Sequence, residues 1–168
     1  MARTPFIRVA TASDVPTLDH MFRELDRYHM RLAPDVFRTS EGSARDAAWM
    51  TKVIEDPRSD ILIARREQGF VHVAEAVTPD LPMFRPDRWL SIENLYVGAA
   101  YRRQGLGRAL IHAAYDWGRK RNLTKARLGV WYGNSTARAF YESLGYQELK
   151  VTLEAVIAPE NDTSVETS

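Results

Sequence analysis

The order of its hydrophobic periods constrains this chain more than any single motif. Residues 6–10 (FIRVA) read as a short strand, and two helical repeats follow. In the first, Leu18, Phe22, Leu25, His29 and Leu32 recur at spacings of four and three, which lines one helix face. Ser13 is the expected cap, Pro16 falls in the first turn, and Pro34 ends the helix. A second helix is expected over 43–55, with Ala47, Met50 and Ile54 inward. Residues 60–77 carry two strand-like runs around Gln68-Gly69, a hairpin signal. The proline-rich stretch 78–88 is a loop, and 89–97 (WLSIENLYV) is rich in strand-forming types. From there the pattern alternates. A helix carries Leu106, Leu110, Ala113 and Trp117 on one face, a strand spans 125–132, and a short helix spans 134–145. That helix is capped by Asn134 or Ser135 and stopped by Gly145, and strand follows over 146–157. Strands that run consecutively and then interleave with helices imply an α/β (α+β) chain, a mixed sheet covered by helices.

Composition narrows the function classes. The 168 residues suit one domain, taken as 1–158, with the polar, acidic stretch 159–168 expected to be a disordered tail. The absence of cysteine excludes disulfides, thiol nucleophiles and thiolate metal sites. His20, His29, His72 and His112 do not form a metal spacing, so no metal is expected. A net charge of +1 without a recognition motif argues against nucleic acid as a partner. The basic run 118–127 reads as a helix end with cations set against the dipole. No apolar run approaches the roughly 18 residues of a membrane span. The first residues lack the apolar core of a signal peptide. A cytoplasmic protein with no membrane partner is expected.

The stretch 101–111, YRRQGLGRALI, raises a chemical question. Glycine costs a helix about 1 kcal/mol relative to alanine, yet Gly105 and Gly107 stand at a helix start beside Arg102, Arg103 and Arg108. The dinucleotide pattern G-x-G-x-x-G/A fails at Leu110, and no G-x-x-x-x-G-K-S/T string exists. What remains is a bare helix N-terminus, whose amides and dipole suit an anion, flanked by guanidinium groups. A glycine-rich turn with a solvated basic rim is the alternative.

Two segments in order, 92–111 (IENLYVGAAYRRQGLGRALI) and 130–149 (VWYGNSTARAFYESLGYQEL), resemble the GNAT superfamily of acetyl-coenzyme A-dependent N-acetyltransferases. The likeness extends more loosely over 5–157. It implies a mixed, mostly antiparallel sheet with a splayed parallel strand pair, here 89–97 and 125–132, flanked by about four helices. It implies acetyl-coenzyme A as co-substrate. Backbone at Leu95, Tyr96 and Val97 would hold the pantetheine arm. Arg102, Arg103, Gln104, Gly105, Leu106, Gly107 and Arg108 would hold the pyrophosphate, and Asn134 would contact the coenzyme. The basic run 118–127 is a weaker candidate for the 3′-phosphate.

The resemblance also implies roles in acetyl transfer. The acceptor amine must lose a proton, the carbonyl oxygen needs an N–H donor, and the departing thiolate needs a proton. Tyr141 matches the family's proton donor, with a packing tyrosine as the bland alternative. Glu93, mid-strand in SIENLYV, is the general-base candidate, and Glu75 is the second. Strict alternation sets Glu93 on the face of Leu95 and Val97 unless a bulge intervenes. Tyr28, His29, Phe37, Phe84 and Trp89 are expected to line the acceptor pocket, formed by loops 28–38 and 78–89 and the end of the chain. Asp26, Asp35 and Asp80 lean towards a cationic acceptor. The expected reaction is direct transfer to a primary amine within a ternary complex. A non-catalytic acyl-coenzyme A-binding module is the alternative, and a homodimer is an open expectation.

Overall fold

The computed structural model of the chain describes residues 5–38 and 45–157. These divide into two units, separated between Asn134 and Ser135. The first unit carries a five-stranded sheet in the order β1-β2-β3-β4-β5. The strands are β1 (Ile7–Val9), β2 (Ser59–Ala64), β3 (Gly69–Val77), β4 (Arg88–Val97) and β5 (Ala126–Leu128). All neighbours are antiparallel except β4 and β5, which run parallel. The helices of this unit are α1 (Val15–Leu32), α2 (Ala47–Glu55) and α3 (Leu106–Arg119).

Directly paired residues share a sheet face, so the ladder sorts β4 between two helical layers. Leu90, Ile92, Leu95 and Val97 align with Glu75, Val73, Val71 and Gly69 of β3. This is the α3 side, where Gly118 lies against Leu90. Trp89, Ser91, Asn94 and Tyr96 share the other face with Phe70 and His72. There Phe22 of α1 packs on Phe70, ring centroids 4.4 Å apart, and Trp49 of α2 meets His72 edge-on. Leu18, Met21, Phe22, Met50, Ile61 and Phe70 form the centre of that core. Each such side chain contributes about 1.5–3 kcal/mol by leaving water.

Several details differ from the periodic reading. A 3-10 turn at Ala12–Asp14 precedes α1, and Asp14 rather than Ser13 stands at its cap. The Asp14 carboxylate accepts the Thr11 amide at 2.8 Å and two bonds from Arg8 at 2.7 Å, so its role is a cross-link to β1. In α2, Asp46 caps by accepting the Trp49 amide, Trp49 and Met50 face inward, and Ala47 is exposed. On α3, Ile111 and Ala114 are buried, while Ala113 is only half-buried. The β2–β3 connection is a 3-10 turn at Arg65–Glu67, and Gly69 lies inside the strand. There a Cβ would collide with the Tyr96 carbonyl, so close backbone approach demands the glycine.

The second unit holds α4 (Ser135–Glu142). Gly145 follows with φ +86°, and the Tyr146 amide donates to the Tyr141 carbonyl at 3.1 Å, a left-handed helix stop. Tyr141 stacks edge-on with both Phe140 and Tyr146. The strand expected over 146–157 is absent: these residues form no ladder, and Val151, Leu153, Val156 and Ile157 are exposed. Alternating apolar types mark a strand only where a neighbour supplies its hydrogen bonds, and among the described residues 146–157 form no such ladder. The 159–168 tail lies outside the described residues.

Candidate active site

The parallel ladder between β4 and β5 is short. Leu90 pairs with Ala126, Ser91 with Arg127 and Ile92 with Leu128, and the ladder stops there. β5 is therefore shorter than the stretch 125–132 read from its sequence. Among the described residues, β4 beyond Ile92 has no strand on that side, while its other edge continues along β3 to Val97. The strand pair opens at this point.

A β-bulge marks the opening. Opposite β3, Val73 faces Ile92 and His72 faces Asn94, which leaves Glu93 as the extra residue. Strict alternation is broken: Leu95 and Val97 share the face of Ile92, and Glu93 belongs to neither ladder position. Its carboxylate is exposed, and its charge is felt by His72 across the sheet. Glu75, the second candidate, is engaged otherwise. It accepts the Arg88 Nε at 2.8 Å in an ion pair.

His72 is a residue that sequence reasoning missed. It is buried, with Nε2 3.1 Å from the Ser59 hydroxyl and Nδ1 3.5 Å from Asn94 Oδ1. Burial pushes its imidazole down, and Arg45 adds to this, while Asn94 and Glu93 act in the opposite direction. Only the cross-strand register places it beside the bulge, and no local pattern signals that.

The segment after β4 is a loop built for open backbone. Arg103 has φ +61° and Gly105 φ +84°, and a Cβ at Gly105 would meet nothing within 4 Å. Left-handed residues in such a turn swing successive amides to one side, an anion-binding concavity. Gly105 is the cap of α3 and Gly107 its second residue. The first intrahelical bond runs from the Ala109 amide to the Gly105 carbonyl at 3.0 Å. The amides ahead of it lie outside the ladder. Arg102, Arg103, Gln104 and Arg108 are exposed and Leu106 is buried, an anchor for the helix start. Arg102 turns back, donating through Nε to the Val97 carbonyl at 3.0 Å, and Gln104 donates to the Ala100 carbonyl at 2.8 Å. These features fit a pyrophosphate group.

An aromatic cluster stands within the same unit. His29 stacks on Phe37 at 5.5 Å, Phe37 meets Trp131 edge-on at 5.3 Å, and Tyr28 lies 6.0 Å from His29. The Tyr28 hydroxyl donates to Asn134 Oδ1 at 3.1 Å. Burial pushes the His29 imidazole down, helped by Arg45 and opposed by Asp26, which are themselves an ion pair. Tyr28, His29 and Phe37 thus come together as expected, joined by Trp131, which periodicity had placed in a strand. Trp89 is occupied elsewhere, under the Arg127 guanidinium at 4.0 Å, and Phe84 lies exposed in its loop. The basic run 118–127 is largely ion-paired: Arg119 with Asp116, Arg121 with Asp60, and Lys125 and Arg127 with Asp87. Among the described residues, no group of three His, Asp or Glu side chains could hold a metal, and no helix is long and apolar enough to cross a membrane.

A sequence profile of the acetyltransferase (GNAT) family matches residues 20–146. The chain belongs to the GNAT acetyltransferase family. Its matched span contains the bulge, the α3 mouth, Asn134 and Tyr141. Among solved GNAT-like folds, the tetramutant of the BH1408 protein from Bacillus halodurans superimposes with a TM-score of 0.82. It is 25% identical and covers 90% of this chain and 99% of its own. The aminoglycoside N-acetyltransferase AAC(6')-Iy, solved in complex with CoA, shares the fold at a TM-score of 0.66 and 13% identity, over 92% of this chain and 100% of that one. The ribosomal protein bS18-alanine N-acetyltransferase of Escherichia coli (strain K12) is 43% identical over 58 residues, 34% of this chain. The match spans 39% of that relative's length.

Proposed function

We propose that the chain is an N-acetyltransferase that moves an acetyl group from acetyl-coenzyme A directly to a primary amine, with both substrates bound together. The observation that carries this reading is the opening of β4 from β5 at Ile92, with Glu93 bulged out at the branch and bare backbone beyond. Backbone at Leu95, Tyr96 and Val97 offers strand-like hydrogen bonds to the pantetheine arm. Residues 102–108 cradle the pyrophosphate, and Asn134 holds the coenzyme from the other wall. Acetyl-coenzyme A supplies the activated acetyl as a thioester. Glu93 takes the proton that frees the amine lone pair. The amine nitrogen bonds to the carbonyl carbon as the carbon–sulfur bond breaks. The backbone amide of Leu95 or Tyr96 holds the carbonyl oxygen as charge develops, the Tyr141 phenol protonates the departing sulfur, and the second proton shed by the acylated nitrogen restores the phenol. With no cysteine in the sequence, no thiol of this chain can carry the acetyl group, which supports direct transfer.

The acceptor enters past Tyr28, His29, Phe37 and Trp131, an aromatic wall rather than an acidic one. The reading carries with it one acetyltransferase domain over 1–158, a cytoplasmic setting and a homodimer, which light scattering would measure. Its central test is an acceptor screen with acetyl-coenzyme A, read by thiol release. The screen opens with peptide amino termini, the acceptor class named for the bS18-alanine relative, and with aromatic amines. On the acceptor found, Tyr141→Phe is expected to lower turnover about 10²- to 10⁴-fold while coenzyme affinity changes little. Coenzyme binding without thiol release on any amine identifies a non-catalytic binding module instead.

A further inference from the structure

One side chain of α1 touches both walls of the proposed coenzyme site. The Tyr28 hydroxyl donates to Asn134 Oδ1 at 3.1 Å, and the backbone N–H of Asn134 donates to the Trp131 carbonyl at 2.8 Å. Over the Tyr28 ring lies the Arg102 guanidinium, 5.9 Å from the ring centroid. Arg102 also donates to the Val97 carbonyl at 3.0 Å, on the last residue of β4. Tyr28 therefore joins the end of β4, the loop into α3 and the segment before α4. These are the three stretches assigned to the coenzyme; the first two adjoin in sequence, and Asn134 lies 106 positions from Tyr28.

The same ring begins the aromatic series on the acceptor side. Tyr28 contacts His29, His29 stacks on Phe37, and Phe37 meets Trp131. Trp131 returns through its carbonyl to the Asn134 amide, so the contacts form a closed circuit. A phenol that donates to Oδ1 decides which end of the Asn134 carboxamide is the acceptor, and so which way its NH₂ points. A guanidinium over a ring face is held by the ring's charge distribution. One residue thus restrains two groups whose orientation governs coenzyme binding, and it does so from the wall the acceptor must pass.

We propose that Tyr28 is a positioning residue that orients Asn134 and Arg102 for coenzyme A and couples that site to the aromatic acceptor wall. The inference rests on the coenzyme site described under the proposed function. Its test is a double-mutant cycle by calorimetry, with coenzyme A titrated into the wild-type chain, Tyr28→Phe, Asn134→Ala and the double variant. Tyr28→Phe keeps the ring, its contact with Arg102 and its packing on His29, and removes only the hydroxyl. Its coenzyme A dissociation constant is expected to rise about three- to tenfold, the effect of one net hydrogen bond. In the Asn134→Ala background the same change is expected to have no further effect, because its partner is already gone. A purely structural role for Tyr28 would add to Asn134→Ala in full. Unchanged affinity in Tyr28→Phe, or full additivity in the cycle, overturns the inference and leaves the acetyltransferase reading standing. A wild-type chain that takes up no coenzyme A overturns both.

Discussion

The two halves of β4 differ in what pairs with them and in how far they are buried. From Leu90 to Ile92 the strand is paired on both edges, and Leu90 and Ile92 are buried against the α3 side. From Glu93 to Val97 it keeps β3 and loses β5, and no residue is fully buried. The first half is held by burial and by a complete ladder. The second half offers one row of backbone groups to whatever enters. A single extra residue, Glu93, separates them. The bulge shifts the side-chain phase as the parallel ladder ends, so the geometry that opens the site also sets the carboxylate at its branch. On the proposed function, stability and chemistry fall to adjacent stretches of one strand.

That division can be broken at three points. The largest effect is expected at the boundary. Glu93→Gln should lower turnover on a confirmed acceptor about 10²- to 10⁴-fold near neutral pH, with recovery as rising pH deprotonates the amine. Its melting temperature should stay near wild type, because the side chain is exposed. Wild-type turnover in this variant would remove Glu93 as the base.

In the paired half the expectation reverses. Leu90→Ala should cost about 2–5 kcal/mol in urea denaturation, since the side chain is 2% exposed and lies against Gly118 of α3. Turnover per folded molecule should change little. A variant that keeps its stability but loses activity would mean that the two halves do not divide the work.

The smallest effect is a pH dependence. Burial holds His72, under the bulge, and His29, in the aromatic cluster, below the ordinary imidazole value. The unfolded chain therefore binds protons that the folded chain does not. Stability is full above about pH 6.5 and falls as pH drops through it towards the lower folded values. Asp14, held by Arg8 below the carboxylate range, adds a further loss only in stronger acid, below about pH 3.9. Denaturation midpoints should decline from about pH 7.5 to about pH 5.5, and His72→Gln should flatten part of that slope. An unaltered slope in the variant would exclude His72 as a source.

Much of this arrangement was legible in local pattern. The α1 face through Leu18, Phe22 and Leu25, the strand 89–97, the glycine-opened α3 and the Gly145 stop all follow from periodicity or backbone sterics, which act over a few residues. Gly105 adopts φ +84°, a conformation glycine takes without strain, where the sequence reading expected only bare backbone at a helix start. The failures in the sheet share one cause. The strand over 146–157, the full length of β5 and the face of Glu93 each depend on what lies across a ladder. Gly69 looked like a turn glycine, because the carbonyl of Tyr96 that excludes a side chain there is far away in sequence.

What the sequence determined by itself, then, was the family and most of the order of its elements, properties carried by short segments. The tertiary structure decided where the parallel pair parts, that Glu93 is the bulged residue, that Glu75 is paired with Arg88, and that Tyr28 reaches Asn134. Those are contacts between residues tens of positions apart. Their partners are chosen by register and packing, which local spacing does not encode.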